Sequence, residues 1–236
     1  MTKEPKNREI MDLRVISIGT LPFHPLWGEQ GPVRTGHATT TLIRTGKRAI
    51  LVDPGLPQQA IAARLRERSG LSPKDITHVF VTTFQLDTCR GIMAFENATW
   101  WISQAEREGV GVPLVGDLQK AAAEGDEEIK ARLELEVAIL KRCEPAPDRL
   151  APGVDLFPLI GVTPGCTGLL CAQPRSTTVI CGDAVPTIEH LERGMVLDSA
   201  RDVTRARESF AEAVEIADYL VLGRDGLVPN PVKRPF

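Results

Sequence analysis

No apolar run among the 236 residues approaches the roughly 18–20 residues that a membrane-spanning helix needs, so a membrane-embedded protein is not expected. The start, 1–7, is polar and Lys-containing and leads into no apolar h-region, so a secretory signal peptide is not expected either. C-x-x-C pairs are missing, and the cysteines (Cys89, Cys143, Cys166, Cys171 and Cys181) number five, which argues against a disulfide framework and against a zinc knuckle. Four of them sit in apolar or small-residue surroundings that suit ordinary buried thiols, and a reducing cytoplasm is the simplest compartment. A large excess of either charge is missing too: 28 Lys plus Arg stand against 31 Asp plus Glu, a net charge of −3. Nothing in that balance draws the chain to nucleic acid or to an anionic membrane. A small-molecule or protein partner is expected instead, with homo-oligomer formation left open. There is no internal repeat and no low-complexity linker.

What is present is an average globular composition, 42% hydrophobic and 25% charged, long enough for one sizeable core. The expectation is a single domain, 1–236, with an N-terminal half at about 12–142 and a C-terminal half at about 155–230. Frequent punctuation by 18 prolines and 20 glycines implies many short elements. The first half reads as a strand at 14–17, a Gly- and Pro-rich loop at 19–36, and a hairpin of strands 39–43 and 48–52. A helix at 57–69 follows, with Ile61 and Leu65 on one face and Gly70 as its C-terminal stop. The continuous apolar run at 78–81 predicts an interior strand covered on both faces. A helix at 87–95, a strand at 99–102 and a mostly helical stretch at 111–150 come next. Strands are predicted at 155–159, 168–172, 177–180 and 219–222, with a helix at 202–217.

Four segments carry the chemistry, in this order: Leu51-Val52-Asp53-Pro54-Gly55; the run from Ile76 through Thr83-Phe84-Gln85-Leu86-Asp87-Thr88; Thr163-Pro164-Gly165-Cys166-Thr167-Gly168; and Gly182-Asp183-Ala184-Val185. Together with the stretch from Phe95 to Glu106 they resemble the metallo-β-lactamase fold family, and among its branches the homoserine-lactonase-type hydrolases, from about Val15 to about Asp225. The resemblance implies an α/β four-layer αββα sandwich of two mixed β-sheets, with the site where loops meet along one edge. It also implies two metal ions, usually zinc, bridged by a hydroxide that attacks a polarised carbonyl or phosphoryl group.

Carried over position by position, the resemblance places its metal ligands at residues that are mostly of the wrong kind. The H-x-H-x-D-H motif falls on Thr83, Gln85, Asp87 and Thr88, so three of its histidines are absent and Asp87 alone is kept. The next His position holds Cys166, the bridging Asp is kept as Asp183, and the last His position holds Arg224, followed by Asp225. Threonine and glutamine offer neutral oxygens that hold zinc poorly, and arginine is a permanent cation that opposes a metal beside it. The four histidines, His24, His37, His78 and His190, lie elsewhere and are expected in structural or surface roles. Zinc, the cofactor of the family, is therefore expected to be absent. A single unconventional metal on Asp87, Cys166 and Asp183 is the alternative. A nucleophilic Cys166 would need a base or an electropositive setting, for which Arg224 is the sole candidate.

The leading reading is a metallo-β-lactamase-fold protein that has lost its dizinc centre, a pseudoenzyme binding a small polar ligand through a cleft made by Thr83, Gln85, Asp87, Thr88, Cys166, Asp183 and Arg224. The alternative is a lactonase-like hydrolase using one metal, or acid/base chemistry on Asp87 and Asp183. A third reading is a structural subunit with a filled cleft. Asp53 is expected to brace the adjacent loop, Cys89 to lie in the core, and Phe23 and Trp27 are candidates for the cleft mouth. Arg224 is expected to pair with Asp183, Asp87 or both, because buried carboxylates that lose their cations need another; Arg90 is the alternative source of charge.

Overall fold

Side-chain alternation decides how the strands stack. The computed structural model describes residues 11–233; the segment 1–7, on which the signal-peptide expectation rests, lies outside the described residues. Six strands, β1 (Asp12–Ser17), β2 (Thr40–Thr45), β3 (Arg48–Val52), β4 (His78–Val81), β5 (Thr99–Ile102) and β6 (Glu144–Pro145), form one sheet in sequence order. It is antiparallel from β1 to β3 and parallel from β3 to β6. The second sheet holds β7 (Arg149–Ala151), β8 (Val154–Pro158), β9 (Thr167–Ala172), β10 (Thr177–Ile180), β11 (Tyr219–Val221) and β12 (Leu227–Pro229), again in chain order. Within it only β10 and β11 run parallel.

Along β2, β3, β4 and β5, successive residues point to opposite faces. Ile43, Ile50, Val52, Phe80 and Trp101 face the second sheet and pack with Leu150, Val154, Leu169, Cys171, Ile180 and Val221 in one buried layer. Their neighbours Leu42, Leu51, Val79, Val81 and Trp100 face the other way, into a cluster covered by helices. That cluster takes Ile61 and Leu65 from α1 (Gln58–Ser69), Leu114 and Ala121 from α3 (Gln104–Glu124), and Leu133, Ile139 and Leu140 from α4 (Glu127–Arg142). On the far side of the second sheet, Val179 and Leu220 pack with Leu191 of α5 (Ile188–Arg193) and with Ala206, Phe210 and Ala213 of α6 (Val203–Ile216). The result is the expected four-layer sandwich, helices outside and two mixed sheets within. The tandem tryptophans divide between two layers because β5 is buried on both faces.

Several boundaries differ from the sequence reading. The 87–95 helix breaks into α2 (Leu86–Cys89) and a 3-10 turn, Ile92–Phe95, where the Gly91 backbone N–H donates to the Pro54 carbonyl at 2.8 Å instead of to a helical carbonyl. The helical stretch placed at 111–150 instead begins at Gln104, where the Ser103 hydroxyl accepts from the Glu106 backbone N–H, and it ends at Arg142. Beyond it the chain turns extended, and the crossing from one sheet to the other falls between Pro145 and Arg149. Helix α5 and strand β12 went unread because each is too short to show a period. Among the described residues no helix is long and apolar enough to cross a membrane.

Candidate functional site

Strands β4, β10 and β11 each end near the same edge of the sandwich, and each hands the chain to a segment that supplies a charged side chain to the site. Asp87 stands in the first turn of α2, after β4. Asp183 lies in a 3-10 turn, Gly182–Ala184, directly after β10. Arg224 follows β11, the strand parallel to β10. The two later loops touch: a Cβ added at Gly223 would meet the Gly182 carbonyl oxygen at 2.3 Å, so the close approach needs glycine. Gly182 itself has φ +52 and rests on the Thr82 side chain. Backbone bonds from Ala38 N–H to the Asp87 carbonyl, and from Thr39 N–H to the Gly223 carbonyl, both 2.8 Å, tie the first half to this edge.

The Arg224 guanidinium fills the space between the two acids. Its Nε and Nη2 donate to the two oxygens of Asp183 at 2.7 Å each, a bidentate fork, and Nη1 donates to Oδ2 of Asp87. The Arg224 and Asp183 side chains are each 3% exposed, and Asp87 is 24% exposed. Burial disfavours the Arg224 charge, but the charge and hydrogen bonds of Asp183, and then of Asp87, outweigh it and hold the guanidinium protonated well above its ordinary range. The expected ion pair thus forms with both carboxylates. Arg90, the alternative source of charge, serves instead as the C-terminal cap of α2.

Behind this triad sits Asp53, buried and with φ 49. Its carboxylate accepts the Thr82 backbone N–H at 2.8 Å and the Thr82 hydroxyl at 2.7 Å, so it braces the adjacent loop. Burial pushes its pKa up to about 7, against the Thr82 hydrogen bonds; the Asp183 charge adds to the rise and Arg224 opposes it. A folded-state value above the unfolded one means that the native state holds the proton longer. The stabilisation is therefore complete below about pH 4 and is lost as pH rises through about 7. We expect stability to fall by on the order of 2–4 kcal/mol between those limits from this group, and Asp53→Asn to flatten that part of the profile. Urea unfolding of both proteins from pH 4 to pH 8 measures the difference; parallel profiles would show that Asp53 titrates normally.

A cleft of about 700 Å³ opens onto the triad. Of the residues that the sequence offers for a cleft, Gln85, Asp87, Asp183 and Arg224 line it. Thr83, Thr88 and Cys166 do not line it, which corrects their assignment to the cleft. All three are buried: the Thr88 hydroxyl is consumed by the Thr83 and Gln85 carbonyls at 2.7 Å, and Cys166 packs in the core beneath the second sheet. Burial, and then the nearby Asp183 charge, push the Cys166 thiol well above its usual pKa and hold it in the protonated form, which disfavours a nucleophilic role. Cys89 lies in the helix-covered core as expected.

The 19–36 loop closes one side of the cleft through Leu21, Phe23 and Pro25. Phe23 lines the cleft, whereas Trp27 does not. Trp27 is 58% exposed, stacks on His24 at 4.3 Å and donates its indole N–H to Glu189 at 2.8 Å. Buried His24 and His190 both meet the Thr187 hydroxyl, at 3.0 and 2.8 Å, and this strap fastens the loop to α5. His78 stacks on Trp101, and His37 bonds the Ile18 carbonyl. None of the histidines lines the cleft.

One residue that organises the site was not singled out from the sequence. Glu106 is fully buried; its Oε1 accepts from the Phe84 backbone N–H at 2.8 Å, and its Oε2 from the Thr163 hydroxyl at 2.6 Å and the Gly165 N–H at 3.1 Å. A Cβ at Gly165 would overlap the Glu106 backbone at 1.9 Å. The signal that could have found it is the Ser103-x-x-Glu106 capping pattern standing before a helix.

The donor set does not suit the dizinc group that the resemblance implies. Asp87 and Asp183 are bound to a cation already in place, Thr83 and Thr88 offer buried hydroxyls, and Cys166 points into apolar packing. Among the described residues no group of three or more His, Cys, Asp or Glu side chains could hold a metal ion.

Residues 33–216 match the family model of the metallo-beta-lactamase superfamily. No curated protein sequence matches the chain. Solved structures similar to it include a Thermotoga maritima protein named for the metallo-beta-lactamases, at 20% identity and TM-score 0.66, covering 93% of this chain and 99% of that one. Another is AidC, a dizinc quorum-quenching lactonase, at 19% identity and TM-score 0.66, covering 84% and 76%. A third is an AiiA variant from B. thuringiensis with N-decanoyl-L-homoserine bound at its active site, at 19% identity and TM-score 0.61, covering 87% of each chain. At these identities the likeness is one of fold.

Proposed function

The chain belongs to the metallo-beta-lactamase superfamily, and from that premise we propose that it is a member without the dizinc centre, using the cleft to bind a small organic ligand. The observation that carries the reading is the Arg224 guanidinium bonded to Asp183 and Asp87 together. A divalent ion placed against those carboxylates would sit beside a buried permanent cation, and repulsion at such distances in a weakly polar interior is large. The cleft supports ligand binding by its size and by its mix of apolar walls with a few converging polar groups. Five free, buried cysteines fit a reducing, cytoplasmic setting.

Elemental analysis of protein purified without chelator tests this. The expected result is less than about 0.1 equivalent of zinc, iron or manganese per chain, and no chelator-sensitive lactone or β-lactam hydrolysis. Arg224→His is expected to recruit no zinc by itself, because the other ligand positions lack partners for it. About two metal ions per chain with chelator-sensitive turnover would establish the hydrolase reading instead.

A further inference from the structure

The cleft floor carries an uneven charge. Two carboxylates, Asp87 and Asp183, share one guanidinium, so the buried triad bears a formal charge of −1. Asp183 uses both oxygens on Arg224, whereas Asp87 uses only Oδ2; its Oδ1 is buried and has no hydrogen-bond donor among the described residues. The other charges of the cleft cancel. Glu29 is bonded to Arg34, and the remaining charged lining residues, Asp198 and Arg201, carry one charge of each sign. The sign of the cleft is therefore set at its floor. Above it stand apolar side chains on three sides: Leu21 and Phe23 from the 19–36 loop, Phe84 and Val110 from the first half, and Val162 and Leu197 from the second.

An unbalanced negative charge at the floor, where the Asp87 side chain is partly exposed to the cleft, and apolar walls together select against anionic ligands and for a cation attached to an apolar body. We propose that the cleft takes a small amphipathic amine, its ammonium group against Asp87 and its hydrocarbon part between the apolar walls. This rests on the cleft being the ligand site, as proposed above. Neutralisation of the triad supplies the selectivity: an ammonium brings the floor to zero charge, a hydroxyl leaves it at −1, and a carboxylate takes it to −2.

Calorimetric titration of the full chain at pH 7 with n-hexylammonium, 1-hexanol and n-hexanoate separates the parts of the argument. The ammonium is expected to bind about tenfold or more tightly than the alcohol, and the carboxylate more weakly than either. Asp87→Asn should bring the ammonium down to the level of the alcohol without changing the alcohol. Because Asp87 also supports Arg224, Gln85→Lys serves as a second variant. It adds a cation at the cleft floor without touching the triad, and should weaken the ammonium selectively. Leu197→Trp, which fills the cleft from its wall, should weaken all binding. Equal affinity for ammonium and alcohol, or preference for hexanoate, would overturn the amine assignment and leave the cleft as a ligand site. Binding of no probe, or binding indifferent to Leu197→Trp, would overturn both.

Discussion

Arg224→Met is expected to lower stability by about 3–5 kcal/mol, the range seen when one partner of a buried ion pair is removed. The loss comes less from the pair's own energy than from what remains, a fully buried Asp183 and a largely buried Asp87 with no cation between them. A double-mutant cycle separates the two contributions. Asp183→Asn alone should also destabilise, by stranding half of the guanidinium fork. The double variant should lose less than the sum of the singles, with a coupling of about 2–3 kcal/mol. Arg224→Lys keeps the charge but not the planar fork that serves Nε and Nη2 together, and should fall between. Denaturant unfolding at neutral pH reads all four. A loss under about 1 kcal/mol for Arg224→Met would mean that water satisfies the acids and that the guanidinium is not what holds the site.

Glu106→Ala should have an effect of similar size, about 3–5 kcal/mol, through hydrogen bonds rather than charge pairing. Three donors converge on this one buried carboxylate, from Phe84, Thr163 and Gly165, and nothing nearby can replace it. Two of them, Phe84 and Thr163, line the cleft, so the variant should also lose whatever binding the cleft supports. Glu106→Gln keeps one acceptor oxygen but turns an amide N–H₂ toward groups that are themselves donors, and should recover less than half of the loss. Unfolding curves for both variants test this, and near-wild-type stability of Glu106→Ala would show that the 103–106 turn is held by its packing alone.

The charge argument for Arg224 was available before any coordinates, because it needed only composition at matched positions. A carboxylate kept at 87 and another at 183, with the surrounding imidazoles gone, demand a cation, and the arginine at 224 was the residue placed to supply it. The sandwich was legible for a related reason. The order of the four motifs runs through the strands and the loops that follow them, and the continuous apolar run along 78–81 marks a strand buried on both faces. Helix ends with a local chemical signal, such as Gly70 after α1, also stood where expected.

The sequence, read through its resemblance to a known fold family, thus implied the layers, the order of most of the elements and the charges that had to meet at the edge. Tertiary structure alone decided which polar residues face the cleft and which turn away. Thr83 and Thr88 have the same local character as cleft residues, yet the bend after β4 buries them, and Thr88 spends its hydroxyl on carbonyls within five residues. Glu106 finds its partners 22, 57 and 59 residues away, and Thr187 meets a histidine 163 residues distant. Hydrophobic period and turn chemistry act over a few residues and set local structure. Desolvation and pairing act between whatever surfaces the packed sheets bring together, and the outcome depends on positions that no local pattern encodes.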